Sequence, residues 1–181
     1  GVIEVLRTAG PRGAWALPRL RALLAKPSDP IDDCRYSVLT TLQEMGPSAR
    51  PVSKEVGRIL TDDDDKGLRV EAAITLGRLG GPEGVPPLRA ALKDPELEVA
   101  AEAATALGHV GDPARVALED VQRLAARPDL PPLALAHLGI ALVRLGAPKG
   151  IDHLREALRM PHKCVYSVAI PYLLENLPSL G

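Results

Sequence analysis

One segment of this chain occurs twice, and that repetition constrains the fold more than any other feature. AAITLGRLG at residues 72–80 returns as AATALGHVG at residues 103–111. Between the copies lie a Gly-Pro turn, a helical run (VPPLRAALK) and a second turn (DPE). A repeat of this length matches one pair of helices, and a single pair cannot bury its own apolar face. Stacked pairs bury a continuous core, so the repetition predicts an all-α solenoid.

A glycine at the end of an apolar helical segment marks each copy of the repeat. Glycine ends a helix well because it enters the left-handed conformation without steric cost. These glycines follow one another at 36, 34, 31 and 35 residues, at Gly10, Gly46, Gly80, Gly111 and Gly146. The spacing predicts about five to six helix pairs. We expect residues 1–181 to form a single repeat domain that is a fragment of a longer chain.

Each repeat unit is predicted to contain a first helix, termed A, and a second helix, termed B. Apolar residues recur at helical spacing, and the short connections make consecutive helices antiparallel neighbours. The A helices are predicted at residues 2–9, 31–45, 67–79, 97–110, 132–145 and 163–177. The B helices are predicted at residues 14–26, 49–61, 85–93, 115–127 and 151–160.

Composition narrows both the core and the class of protein. Apolar residues make up 46% of the chain but aromatics only 2%, so Leu, Val, Ile and Ala must build the core. The net charge of −1 indicates no bulk attraction to nucleic acid or membrane, and no apolar run approaches the ~18 residues of a membrane span. Cys34 and Cys164 are expected to be buried reduced thiols. The sequence assigns no compartment, and a cytoplasmic location is the expectation.

Residues 68–114 resemble HEAT repeats of the short bacterial type, also called phycobilisome-lyase-type HEAT-like repeats. They read LRVEAAITLGRLGGPEGVPPLRAALKDPELEVAAEAATALGHVGDPA, and looser matches extend over essentially the whole chain. The resemblance implies a right-handed superhelix with the B helices lining its concave face. HEAT repeats often carry an arginine early in helix A that joins neighbouring units. Arg35 and Arg69 match it, whereas Ala100 and Leu135 replace it in the next two units.

Positive charge is concentrated in the B helices and the turns that lead into them. These segments hold 15 Arg and Lys against 6 Asp and Glu, whereas the rest of the chain holds 7 against 17. The motifs LRALL, LRAAL and LREAL place three arginines at equivalent positions, and arginine can bind carboxylate or phosphate groups in a bidentate manner. We therefore predict a partner-binding surface formed by Arg21, Lys54, Arg58, Arg89, Gln122, Arg123 and Arg155.

Simpler interpretations of these charged residues stay open. Acidic residues favour helix N-termini and basic residues favour helix C-termini, which explains much of the charge segregation without any partner. The acidic turn at residues 62–66 (DDDDK) lacks the ligand spacing of a calcium loop and is expected to cap the next helix. His153, His162 and Cys164 are chemically able to bind zinc but lack a fourth ligand, so no metal or cofactor is predicted. His109 and His137 are expected at surface or cap positions.

The sequence contains no constellation that points to catalysis. It has no GxSxG elbow and no GxGxxG turn after a strand. The predicted function is a non-catalytic scaffold that holds an acidic segment of a partner protein on the concave face. The alternative is an enzyme subunit similar to phycobilin lyases or, less favoured because aromatics for base stacking are few, to HEAT-like DNA glycosylases. The apolar last helix predicts end-to-end association with more chain or another subunit.

Overall fold

The structure is a computed structural model that describes residue 13, residues 15–25 and residues 34–160. Every regular element in this part of the chain is helical, as the repeat predicts. The α-helices are α1 (Leu17–Leu24), α2 (Arg35–Met45), α3 (Ser53–Asp62), α4 (Lys66–Leu79), α5 (Val85–Ala91), α6 (Leu97–Val110), α7 (Leu118–Ala125), α8 (Pro132–Arg144) and α9 (Gly150–Arg159).

The helices form two layers of a repeat array. The A helices are α2, α4, α6 and α8, and each packs against the next along the row. The B helices are α1, α3, α5, α7 and α9. Within the described residues, α3 packs against α4, α5 against α6, and α7 against α8, so each of these B helices contacts the A helix of the following unit. This order is the α-solenoid predicted from the repeat.

Glycines allow the A helices to approach closely. A Cβ atom at Gly77 would lie 2.9 Å from the Cα atom of Ala106, and one at Gly108 would lie 3.1 Å from the Cα atom of Ala141. Any larger residue at these two positions would push backbone against backbone. Small residues therefore set the spacing of the A layer.

The core is continuous from α1 to α9 and is aliphatic. Leucine dominates it, and alanine fills the narrow spaces between the A helices. Each buried leucine contributes about 2 kcal/mol of hydrophobic stabilisation by its transfer out of water. The largest fully buried side chains are Leu20, Leu39, Leu42, Met45, Leu60, Leu68, Leu76, Leu79, Leu88, Leu107 and Leu138.

Four of the predicted glycine helix ends lie in the described residues, and all four are confirmed. Gly46, Gly80, Gly111 and Gly146 have φ angles of 56°, 64°, 76° and 93°, in the region that favours glycine. The predicted bounds of the A helices that are fully described hold to within one residue, and those of α6 match at both ends.

Several predicted bounds of the B helices were wrong. Residues 46–52 and 112–117 form short 3₁₀ helices, so α3 begins at Ser53 rather than at residue 49 and α7 at Leu118 rather than at residue 115. Proline contributes to the first delay, because the ring of Pro51 disfavours the α-helical conformation at the preceding residue, Arg50. Likewise, α1 is shorter than predicted at both ends, and α5 and α7 end at Ala91 and Ala125, each two residues earlier than predicted.

Cys34 is partly exposed at the start of α2 and is a free thiol, so the expectation that it is buried was wrong. The predicted helices at residues 2–9 and 163–177, together with His162 and Cys164, lie outside the described residues. In the described part of the chain, no helix combines the length and the apolar character that crossing a membrane requires.

Candidate partner-binding surface

The predicted arginine positions are structurally equivalent, because the same offset joins one B helix to the next. Arg21 Nε lies 3.0 Å from Glu55 Oε1, and Arg89 Nε pairs with Asp120 Oδ2. In each pair, the acid lies two residues before the residue of the next unit that is equivalent to the arginine. Gly57 takes that position in the second unit, and its Cβ would lie 3.0 Å from Pro87, again two residues before Arg89. The sequence register is therefore correct.

The structure also shows that these arginines bind carboxylates of the chain itself. Arg21 donates a second hydrogen bond to the carbonyl oxygen of Pro51 at 2.5 Å. Arg155 pairs with Asp152 on its own helix at 3.3 Å, and both side chains are 69% exposed. Pairs this exposed contribute little to stability. The predicted row is thus a set of partly neutralised guanidinium groups rather than bare charge.

Positive charge is in excess around Asp120. Its Oδ2 atom pairs with Arg89, and its Oδ1 atom lies 3.2 Å from the Nη1 atom of Arg123. The hydrogen bond from Arg89 is the main cause that lowers the pKa of Asp120, and the charges of Arg89, Arg123 and Lys93 add to it. The Asp120 carboxylate is only 13% exposed, whereas Arg89 and Arg123 are 50% and 70% exposed. Three cations therefore face solvent around one covered carboxylate.

A groove runs beside this cluster, between α5 and the 3₁₀ segment at residues 112–117. Its volume is about 410 Å³, and its walls are both charged and apolar. Val116 lies on its edge with 65% of its surface exposed. The lining residues are Val85, Pro86, Arg89, Ala90, Lys93, Val116 and Asp120.

The other predicted site residues lie on the same layer but outside this groove. Lys54 and Gln122 are exposed on α3 and α7. Arg58 is also exposed and lines a smaller groove of about 170 Å³ together with the acidic Asp62 and Asp63. Of the predicted residues, Arg89 and Arg123 are the two that meet at one carboxylate.

The arginines predicted to join neighbouring repeat units do so. Arg35 pairs with Asp63, and Arg69 Nε lies 2.9 Å from Asp94 Oδ2. Each acid lies six residues before the residue of the next unit that is equivalent to its arginine. The hydrogen bond and charge of Asp94 raise the pKa of Arg69. Ala100 takes this position in the fourth unit, so the ladder stops there, as the sequence predicted.

A second type of arginine contact between units was missed by the sequence reasoning. Arg50 Nε donates to the carbonyl oxygen of Leu79 at 2.9 Å, which satisfies a free carbonyl group at the end of α4. Arg115 also lies close to Gly146 at the end of α8, with its Nη2 atom 2.9 Å from where a Cβ would lie. Both arginines lie four residues after a helix-ending glycine, and that spacing was the available signal.

The acidic turn at residues 62–66 caps a helix, as predicted. Asp65 Oδ1 accepts a hydrogen bond from the backbone N–H of Gly67 at 2.8 Å, and Asp63 Oδ1 accepts one from the N–H of Asp65 at 3.0 Å. Among the residues that the structure describes, no three His, Cys, Asp or Glu side chains are grouped so that they could hold a metal ion.

The two histidines on A helices differ in their surroundings. His109 is exposed near the end of α6, as expected, and desolvation of its ring together with Arg144 and Arg78 lowers its pKa. His137 is half-buried, its Nδ1 atom lies 3.0 Å from Glu102 Oε1, and 15% of its side chain is exposed. The pair joins α6 to α8.

Comparison with known proteins agrees with this architecture. The family model of HEAT repeats matches residues 53–136, a range that extends from α3 into α8. These residues are HEAT repeats. HEAT repeats generally mediate protein–protein interactions. The finer assignment to the short bacterial type stays a prediction.

The fold also has a counterpart among solved structures. The chain is similar to the crystal structure of an engineered protein, with a TM-score of 0.62 and 20% sequence identity. The match covers 99% of this chain and 88% of the engineered chain. At that identity the likeness shows the all-α repeat fold alone. No curated protein sequence matches the chain significantly.

Proposed function

We propose that this HEAT-repeat chain is a non-catalytic scaffold that binds an acidic segment of a partner protein on its B-helix layer. The surface is formed by Arg21, Lys54, Arg58, Arg89, Gln122, Arg123 and Arg155, with Lys93 added from the structure. The observation that supports the proposal most is the excess of three exposed cations around the covered carboxylate of Asp120.

The Asp120 cluster is suited to bind a carboxylate. Arg89 and Arg123 are already held by Asp120, so less side-chain entropy is lost when a ligand binds. The cluster keeps net positive charge, which attracts acidic segments and speeds their association. Beside it, Val116 and Pro86 offer apolar contact to a neighbouring side chain of the ligand. An acidic segment with an apolar residue next to its carboxylate therefore complements the groove.

The test is a pull-down from a lysate of the source cell with three proteins. Wild type is compared with Arg89→Glu/Arg123→Glu and with Lys66→Glu/Arg78→Glu. The last variant makes the same change in charge on α4, at residues that are also exposed. Circular dichroism checks that all three are folded.

A partner retained by wild type and the α4 variant, but lost from the Arg89→Glu/Arg123→Glu variant, supports the proposal. The isolated complex should weaken steeply as salt is raised, because screening reduces attraction between exposed charges. Loss of the partner from both variants would show that binding depends on the net charge of the chain rather than on Arg89 and Arg123. Equal retention by all three proteins would move the search to the A-helix layer.

A further inference from the structure

The cations around Asp120 exceed what that one carboxylate can neutralise. Arg89 pairs with its Oδ2 atom, and the Nη1 atom of Arg123 lies 3.2 Å from its Oδ1 atom. Lys93 is exposed four residues after Arg89, and its positive charge also acts on the Asp120 carboxylate. Three positive side chains and one carboxylate give this cluster of four residues a net charge of +2.

One phosphate group matches this excess charge better than one carboxylate does. A phosphorylated side chain carries about −1.5 to −2 charges near neutral pH and has three acceptor oxygens, whereas a glutamate has one charge and two oxygens. Arg89 is 50% exposed and Arg123 is 70% exposed, so each guanidinium group has N–H donors directed to solvent besides those that face Asp120. A single phosphate can therefore bind both arginines and the lysine.

The position of Asp120 keeps it from blocking such a ligand. Its side chain is only 13% exposed, so an approaching anion meets the more exposed guanidinium groups before it meets the carboxylate. The carboxylate also holds both arginines in place, which lowers the side-chain entropy that binding costs. Asp120 therefore orients the donors while they keep their net positive charge.

The cluster lies where two grooves on the B-helix layer meet. The groove of about 410 Å³ lies on one side, and a second groove of about 230 Å³ lies between the end of α3 and the turn after α5. Ala90 and Lys93 line both of them. Asp94 in the second groove accepts hydrogen bonds on both oxygens from Arg69, so its charge is already balanced. A peptide segment that crosses the B helices can follow the two grooves and place one side chain at the cluster.

We propose that the acidic segment bound by the B-helix layer is phosphorylated, and that its phosphate group binds between Arg89, Lys93 and Arg123. The inference rests on the proposed function and names the group that the surface recognises. Val116 and Pro86 contact the residue next to the phosphorylated one. Binding is then regulated by phosphorylation of the partner, because the unmodified side chain lacks the charge and the acceptors that the cluster requires.

The experiment is an NMR titration of the whole chain with peptides of the form acetyl-Gly-Val-X-Val-Gly-amide, in which X is phosphoserine, glutamate, Glu-Glu or serine. The backbone amide signals of α5 and α7 and the arginine Nε–H signals report the cluster. We expect the phosphoserine peptide to bind at least about tenfold more tightly than the glutamate peptide. The Glu-Glu peptide has the same charge on two separate groups and should bind at least about threefold more weakly than the phosphoserine peptide.

Arg123→Gln tests the location of the phosphate group. It should reduce the preference for phosphoserine over glutamate at least about threefold, because it removes one of the three cations. The matched control is Arg78→Gln, which removes an exposed arginine from α4 and should leave the preference unchanged. Circular dichroism checks that both variants are folded.

The outcomes separate this inference from the proposed function. Glutamate and phosphoserine peptides that bind the cluster equally well overturn the inference and leave the proposed function standing. Equal binding of the phosphoserine and Glu-Glu peptides also overturns it, as does a preference that persists unchanged in the folded Arg123→Gln variant. If no peptide shifts the signals of α5 and α7, both proposals are overturned. Binding of the phosphoserine peptide alone supports the inference and restricts the proposed function to phosphorylated segments.

Discussion

Arg69 donates one hydrogen bond to each carboxylate oxygen of Asp94, at 2.9 and 3.0 Å, and so joins two consecutive repeat units. The two side chains are only 11% and 9% exposed. Arg69 also donates to the backbone carbonyl of Asp63 at 2.9 Å. One side chain therefore holds the turn before its own helix and the turn before the next A helix.

Arg69→Ala should destabilise the chain by about 3 kcal/mol, because it leaves the carboxylate of Asp94 covered and unpaired. The measurement is urea unfolding followed by circular dichroism. Arg155→Ala is the matched control, since its pair with Asp152 is exposed and should contribute less than about 0.5 kcal/mol. Equal losses in the two variants would show that burial of the ladder pair does not matter.

Gly77→Ala should destabilise the chain by roughly 1–3 kcal/mol, although alanine is the better helix former. The cause is the backbone of Ala106, which lies 2.9 Å from the position of the added Cβ. Gly84→Ala is the control, because its Cβ would make only ordinary contacts at 3.6 Å. That variant should be neutral or gain up to about 1 kcal/mol. If Gly77→Ala raised the melting temperature, the close approach of α4 and α6 would be refuted.

Asp65→Ala should cost about 1–2 kcal/mol, because it removes the cap on α4 and the carboxylate that accepts a hydrogen bond from Tyr36. Asp64 is its control in the same turn, since it is exposed and its side chain forms no hydrogen bond or ion pair with the described residues. Thermal unfolding with calcium and with EDTA completes the test. We expect equal melting temperatures in the two buffers, and a calcium-dependent increase would show that the acidic turn binds this ion.

The stability of the wild type should fall as the pH is lowered below about 6.5, the usual pKa of histidine. The folded state lowers the pKa of His109, so the unfolded state binds the proton more readily. Folding is then opposed progressively between pH ~6.5 and the lowered pKa, and this contribution is constant above that window. His109→Gln should reduce this slope, as measured by urea unfolding at a series of pH values. An unchanged slope would show that other groups cause it.

The sequence predicted the helices well because their signals are local. Apolar spacing and a glycine at each helix end place α6 at its observed residues. The late starts of α3 and α7 escaped prediction, since a 3₁₀ segment and an α-helix carry similar apolar spacing. Arg35 and Arg69 could be named as ladder residues because their position within the repeat is constant.

The candidate site was predictable in part. The arginine register was correct, and equivalent contacts at Arg21, Gly57 and Arg89 support it. The sequence could not show that Asp120 binds two of the predicted residues, because one of its partners lies 31 residues away in the chain. The sequence also could not show the apolar cleft lined by Leu97, Ala101 and Leu133, since the shape of a cleft depends on how several helices pack together.

By itself, the sequence determined the repeat, the helical class, the helix-ending glycines and the positions that recur in each unit. These follow from local backbone preferences and from a period that brings the same residue to the same face. Only the tertiary structure decided which charged side chains pair with one another and where a cleft remains between two A helices. Both depend on side chains of neighbouring units, whose distances are set by how closely the helices pack.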